Sequence, residues 1–212
     1  MSTYADLTIA LEPGFYYHIY NRGNNLQKTF FIPDNYVYFL KKLDQYMSGY
    51  FHFYSYCLLP NHFHLLVKVK ESEKVMEQAM NDFKTLRDFE KSKPEYFVSE
   101  KFRRFFLSYV KSLNKQQKKS GSLFQKNFRR KKIDSEKYFC ELVRYIHLNP
   151  LKHKVSKQFD TYYWSSYTRI LKQGESKLEK EEIFRWFGSK ENFVIFHHEQ
   201  IIDDEGKDYL LE

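Results

Sequence analysis

Two histidines separated by a single residue are the first candidates for a chemical role, because imidazoles at this spacing can act together. His62 and His64 begin the segment 62–70, which the alternation of its apolar side chains predicts to be a β-strand. Side chains alternate between the faces of a strand, so both imidazoles should lie on one face while Phe63 lies on the other. Such a pair can bind one divalent metal ion, although two polar residues on a half-exposed strand would show the same spacing.

A tyrosine late in the chain is the second candidate. Residues from Asp134 to about Leu148 are predicted to form a helix that Asn149 and Pro150 end. Tyr145 lies beside the apolar stripe of this helix, and Asn149 follows one turn later on the same side. A phenol and an amide oxygen would then approach one small volume. A boundary tyrosine followed by a helix-ending Asn-Pro pair is the alternative interpretation.

The net charge of +8 is distributed unevenly over the 212 residues. Between Lys101 and Lys132 the chain has twelve Lys or Arg and no Asp or Glu, whereas from Glu175 to Glu212 eleven acids face five bases. A basic body suits a polyanion such as nucleic acid, and the aromatic content of 19% offers rings that can stack on unpaired bases. A solvated basic surface would explain the charge equally well. The candidate phosphate-binding residues are Arg22, Arg103, Arg104, Lys115, Lys118, Lys119, Lys126, Arg129, Arg130, Lys131 and Lys132.

Composition excludes several classes of protein. An apolar content of 42% can form a core, so the chain is not expected to be disordered. The two cysteines, Cys57 and Cys140, permit at most one disulfide and fit a reduced, cytoplasmic setting. No apolar run approaches the roughly 20 residues of a membrane helix, and the first residues lack the pattern of a signal peptide.

The predicted elements favour an α+β fold. Strands are predicted over residues 14–22, 50–59, 62–70 and 126–133, with helices near 34–48, 73–90, 100–119 and 134–148. This order suggests a ferredoxin-like or RRM-like sandwich, an antiparallel sheet of four to five strands with helices on one face and the histidines on the other, open face. We expect a core over residues 1–172 with an expanded helical region at 71–119, followed by an acidic helical extension, 173–212, of unassigned role.

Several motifs, in this order, resemble a known family. Residues 56–67, Tyr-Cys-Leu-Leu-Pro-Asn-His-Phe-His-Leu-Leu-Val, resemble the His-hydrophobe-His (HUH) signature of single-tyrosine transposases. The segments that resemble the REP-associated tyrosine transposase branch of that family are 17–23, 123–129, 145–153 and 164–167. The resemblance covers roughly residues 14 to 171, and the long 71–119 stretch departs from it.

This resemblance implies a function and a set of roles. Tyr145 would attack a phosphodiester of single-stranded DNA, giving a 5′-phosphotyrosine and a 3′-OH, and a second 3′-OH could reverse the step and join strands. A Mg²⁺ or Mn²⁺ ion would be held by His62, His64 and Asn149, although related enzymes can have Gln at the last position. The expected partner is single-stranded DNA with a hairpin beside the cut site. The resemblance is compatible with a monomer or a homodimer.

Two other functions remain compatible with the sequence. A domesticated, non-catalytic regulator on the same fold would keep the basic surface without using Tyr145. A metal-dependent hydrolase would activate water on the histidines, but it would leave Tyr145 idle and lacks the carboxylates usual at such sites. A nicking assay that tests chelator sensitivity and recovers a protein–DNA adduct separates the three.

Overall fold

Four strands form one antiparallel sheet in the computed structural model, which describes residues 9–85, 89 and 92–199. In the order β2-β3-β1-β4, the strands are Phe51–Leu59 (β2), His62–Val69 (β3), Tyr16–Arg22 (β1) and Arg129–Ile133 (β4). Because β3 lies between β1 and β2, the first three strands form the split β-α-β arrangement of a ferredoxin-like fold. The predicted α+β class is confirmed, and β2 and β3 form an antiparallel hairpin.

Seven α-helices accompany the sheet in the described part of the chain. They are Pro33–Met47 (α1), Ser72–Phe83 (α2), Pro94–Gln117 (α3), Glu136–Lys152 (α4), Tyr167–Leu171 (α5), Lys180–Phe187 (α6) and Lys190–His198 (α7). None of these helices is long and apolar enough to cross a membrane.

The bounds of three helices differ from the sequence prediction. Helix α2 ends at Phe83 instead of continuing to residue 90, and α3 begins earlier, at Pro94, where a proline suits the first helical position. The expectation that Asn149 and Pro150 end α4 is wrong, because the helix continues to Lys152. A proline in the last turn removes one backbone hydrogen bond and does not prevent the helix from finishing that turn.

The first layer of helices covers the sheet face that carries Phe63. Phe63, Leu65 and Val67 are fully buried there and belong to one apolar cluster with residues of α1, α2 and α3. The ring of Phe63 lies 5.1 Å from that of Phe39 on α1. The prediction that the side chains alternating with the histidines face the core is therefore confirmed.

The second face of the sheet is also covered, and the expectation of an open face is wrong. Its apolar side chains, including Leu59 and Leu66, pack with the stripe of α4 that contains Phe139, Val143 and Ile146. The segment of β2 is buried over most of its length on both faces. A strand with apolar residues on both sides needs a layer on each, and α4 provides the second one.

The described part of the acidic extension joins this second layer. Ile183 of α6 and Phe193 of α7 are buried in the same cluster as the apolar stripe of α4. The extension is helical as predicted over residues 180–187 and 190–198, and residues 200–212 lie outside the described part. The boundary at residue 172 stays a prediction.

Candidate functional site

The two histidines of β3 lie on one face of the sheet, as their spacing predicts. His62 is paired in register with Arg22 of β1, and His64 with Tyr20. The ring centroids of His62 and His64 are 5.2 Å apart, and only 4% and 2% of these residues are exposed. The pair is therefore held beneath α4 and not on an open surface.

Hydrogen bonds at Nδ1 orient both histidine rings. Nδ1 of His62 lies 2.6 Å from the amide oxygen of Asn61, which can only accept, so Nδ1 donates and Nε2 is the nitrogen left for a metal. Nδ1 of His64 lies 2.9 Å from Nε2 of His18. Burial, and then the neighbouring histidines, lower the pKa of His64 well below its usual value, so this ring is neutral.

Helix α4 and the residue that caps its end place three polar side chains at successive turns above this pair. Tyr145 places its ring edge-on to His64, with centroids 5.5 Å apart. His153, two turns later, lies 4.5 Å from the ring of His62. Asn149 falls between them at a spacing of four residues, so it shares the helix face that passes over both histidines. The predicted nucleophile and the predicted histidines therefore meet.

Two of the buried polar atoms that make no hydrogen bond within the described residues belong to predicted metal ligands. They are Nε2 of His64 and Oδ1 of Asn149. The amide nitrogen of Asn149 is used, because it donates to the backbone carbonyl of Tyr145 at 2.8 Å. Unsatisfied buried polar atoms are costly. The amide oxygen has lone pairs that a cation can use, and Nε2 of His64 has one when the proton of the neutral ring is on Nδ1.

These donors fit a divalent metal ion of mixed coordination. Two neutral imidazoles and one amide oxygen suit Mn²⁺ better than Mg²⁺, which prefers an all-oxygen shell. Among the described residues, no group of three or more His, Cys, Asp or Glu side chains is arranged to hold a metal. Asn149 would be the third protein ligand beside His62 and His64, and this role stays a prediction.

A pocket of about 220 Å³ opens beside the histidines. Arg22 and Arg129 line it together with His62, His64, Tyr20 and Gln125, among others. The segment before β4 is tied to the end of β1, because the backbone N–H of Gln125 donates to the carbonyl of Arg22 at 2.9 Å. The pocket thus combines two guanidinium groups with the histidine pair, which suits an anion.

The other basic residues of β4 alternate between the faces of the sheet. Lys131 lies on the histidine face, opposite His18, and its ammonium is 4.9 Å from the ring of Tyr138. Arg130 and Lys132 point to the opposite face, so they do not reach the pocket.

The remaining basic candidates lie on α3 or in the segment after it. Arg103 and Arg104 both bind Glu100, which directly precedes the acid-free stretch. Lys115, at the end of α3, and Lys118, Lys119 and Lys126, which follow it, are exposed. Of the eleven predicted DNA-binding residues, Arg22 and Arg129 line the pocket, and the DNA-binding role of all eleven stays a prediction.

Sequence reasoning missed four residues of this site: His18, Tyr20, Gln125 and His153. His18 and Tyr20 alternate with Arg22 along β1, and this spacing could have placed them on the histidine face once the pairing with β3 was known. His153 is eight residues after Tyr145, a spacing that keeps it on the same side of a helix only if the helix passes through Pro150.

Comparison with known proteins shows a similarity of fold. No family model and no curated protein sequence matches the chain. Among solved structures, the chain is similar to a REP-associated tyrosine transposase bound to a REP hairpin, with a TM-score of 0.56 and 19% identity over 81% of this chain and 86% of that one. Similarity at this level of identity shows the fold, and it agrees with the fold that the sequence motifs imply.

Proposed function

We propose that this protein is a transposase-like, single-strand DNA endonuclease in which Tyr145 is the nucleophile. The observation that carries the proposal is the edge-on contact between Tyr145 and His64 in a buried cluster that also offers the unsatisfied Oδ1 of Asn149 on the same helix face. A phenol beside a metal-competent histidine pair is what tyrosine attack on a phosphodiester requires.

A Mg²⁺ or Mn²⁺ ion would be held by His62, His64 and Asn149. When bound, the ion would neutralise charge on a non-bridging phosphate oxygen and align the phosphate. The hydrogen bond from Nδ1 of His62 to Asn61 supports this assignment, because it leaves Nε2 as the nitrogen with a lone pair.

The residues of the chain account for the rest of the reaction. The phenol oxygen of Tyr145 forms a bond to phosphorus while the bond from phosphorus to the 3′ oxygen breaks. The phenol loses its proton and the departing 3′ oxygen gains one. Arg22 and Arg129 line the adjacent pocket and would offset the charge of the flanking phosphates. Because one phosphate ester replaces another, a 3′-OH can reverse the step and rejoin strands.

The proposed substrate is a single strand next to a hairpin. The pocket of about 220 Å³ beside the histidines is too small for a duplex, so it would take only part of a single strand. The solved structure similar to this chain has a REP hairpin bound, which supports the same class of partner here.

The proposal is tested by recovery of a covalent adduct. Purified protein is incubated with labelled hairpin DNA carrying a single-stranded flank and Mn²⁺, and products are separated on a denaturing gel. We expect a chelator-sensitive adduct in the wild type and none in Tyr145→Phe, which should still bind the DNA.

Two tyrosine variants serve as controls. Tyr138→Phe changes the same helix at a ring that lies against Lys131, and it should keep the adduct. Tyr20 stacks on His64 with ring centroids 5.8 Å apart, so loss of the adduct in Tyr20→Phe but not in Tyr145→Phe would move the nucleophile to β1. Tight DNA binding by the wild type without any adduct would instead favour the non-catalytic regulator.

A further inference from the structure

A third histidine contacts His64, one member of the histidine pair. His18 on β1 is fully buried, and its Nε2 lies 2.9 Å from Nδ1 of His64. Its ring is held in place by stacking, 4.6 Å from the ring of Tyr20 and 5.2 Å from that of His64. His18 lies in the segment 17–23 that resembles the family, but the sequence predicts no role for it.

Only one arrangement of protons lets His64 bind a metal through Nε2. Nε2 of His18 and Nδ1 of His64 face each other at hydrogen-bond distance, so one of the two nitrogens carries the shared proton and the other accepts it. If His64 donates from Nδ1 to His18, its Nε2 has a lone pair. If His18 donates instead, Nε2 of His64 carries the proton and cannot be a ligand.

We propose that His18 is a positioning residue that accepts a hydrogen bond from Nδ1 of His64 and so directs the lone pair of His64 Nε2 into the metal site. The inference rests on the proposed metal site and deepens it. His18 would then act on His64 as Asn61 acts on His62. In each case Nδ1 donates to a neighbouring acceptor and Nε2 is the ligand nitrogen. Metal-binding histidines commonly hold such an acceptor, and its loss weakens metal affinity.

A purely space-filling role for His18 predicts something different. An apolar side chain of similar size would then serve as well, since the position is buried and the Nδ1 of His18 makes no hydrogen bond within the described residues. An imidazole with one unsatisfied nitrogen is a costly way to fill space. The two roles are therefore separable by replacing the acceptor while keeping the volume.

The experiment measures Mn²⁺ binding to the full chain by calorimetry, without DNA and in a Tyr145→Phe background that cannot cleave. His18→Leu removes the acceptor, and His18→Gln places an amide oxygen where Nε2 was. We expect Mn²⁺ affinity to fall by about 10- to 100-fold in His18→Leu and to recover to within a few-fold in His18→Gln. His52→Gln, at a surface histidine bonded to Glu179, is the control and should bind Mn²⁺ like the parent.

A measurement on the unaltered protein keeps the inference falsifiable if a variant fails to fold. Long-range ¹H–¹⁵N spectra report the tautomer of each imidazole, and we expect the proton of His64 on Nδ1. A proton on Nε2, or a folded His18→Leu protein that binds Mn²⁺ like the parent, would overturn the inference. A protein that binds Mn²⁺ in this His18-dependent way yet forms no DNA adduct would support the inference and defeat the proposed function.

Discussion

At the scale of single residues, Phe63 shows how one position separates folding from chemistry. Its neighbours on both sides face the site, whereas its own ring is fully buried in the first layer against Phe39, Phe106 and Phe124. We expect Phe63→Ala to lower the free energy of unfolding by about 3 to 5 kcal/mol, because it leaves a cavity in a closely packed core. Urea denaturation measures this loss. Phe63→Leu should lose much less, and equal losses would contradict the packing role.

For the histidines on either side of Phe63, we expect substitutions to lower adduct formation and not stability. His62→Gln and His64→Gln keep a polar side chain of similar length but remove the imidazole ligand. We expect metal-dependent adduct formation to fall by more than about 100-fold in each variant, since even the loss of a supporting group can cost that much. Circular dichroism should show a native fold. Adduct formation that persists in EDTA would rule out the metal role.

At the scale of elements, a buried chain of hydrogen bonds fixes α4 over the sheet. His197 on α7 lies 2.7 Å from the carbonyl of Phe193 through Nδ1 and 2.8 Å from Nδ1 of His147 through Nε2. His147 on α4 continues to Ser166, which accepts from the backbone N–H of Tyr56 on β2. The carbonyl can only accept, so the donors run in one direction with both rings neutral. Through His147, two residues after Tyr145, these hydrogen bonds connect α4 to α7 and to β2.

These buried hydrogen bonds make the stability of the fold sensitive to acid. Burial lowers the pKa of His197 to about 3, whereas the unfolded chain binds this proton near 6.5. The stability that neutral His197 contributes is therefore fully present above about pH 6.5 and is lost as the pH falls towards 3. Between neutral pH and about pH 5 the wild type should lose about 2 kcal/mol more than His197→Leu, which cannot take up that proton. Urea denaturation at both pH values tests this, and equal losses would contradict it.

The elements also show what sequence could and could not predict. Period-two alternation placed His62 and Phe63 on opposite faces, and four-residue spacing placed Tyr145 and Asn149 together, because both are local regularities. Covering of the second face was missed because the apolar run of β2 has no clear period. The contact between His18 and His64 joins positions 46 residues apart, and only strand pairing brings them together.

At the scale of the whole molecule, the sheet divides the basic stretch of 101–132. Arg129 lines the pocket on the histidine face, whereas α3 lies in the layer on the opposite face, with Lys115 near its exposed end. A continuous run of charge in the sequence is therefore not a continuous surface around the site. Only part of it can contact a strand that enters the pocket, so binding experiments on the entire run would mix two surfaces.

Adjacent residues on β4 separate these two surfaces. Arg129 faces the pocket, whereas Arg130 faces the other layer, where its guanidinium lies 4.6 Å from the ring of Phe128 and donates to Ser99 at 3.1 Å. Each phosphate contact on single-stranded DNA contributes about −0.7 to the log–log slope of affinity against salt. We expect Arg129→Ser to weaken binding of a hairpin with a single-stranded flank and to flatten this slope by about that amount.

Arg130→Ser is the matched control, because it removes the same charge one residue away. It should keep the salt slope of the wild type and lower stability instead, since the ring contact and the bond to Ser99 are lost. Equal effects of the two variants on the slope would mean that DNA senses the net charge of the molecule and not the pocket. A duplex of the same length sharpens the comparison, because its denser charge would bind a merely basic surface more tightly than the single-stranded flank. Preference for the duplex in the wild type would contradict a single-strand site at the pocket beside the histidines.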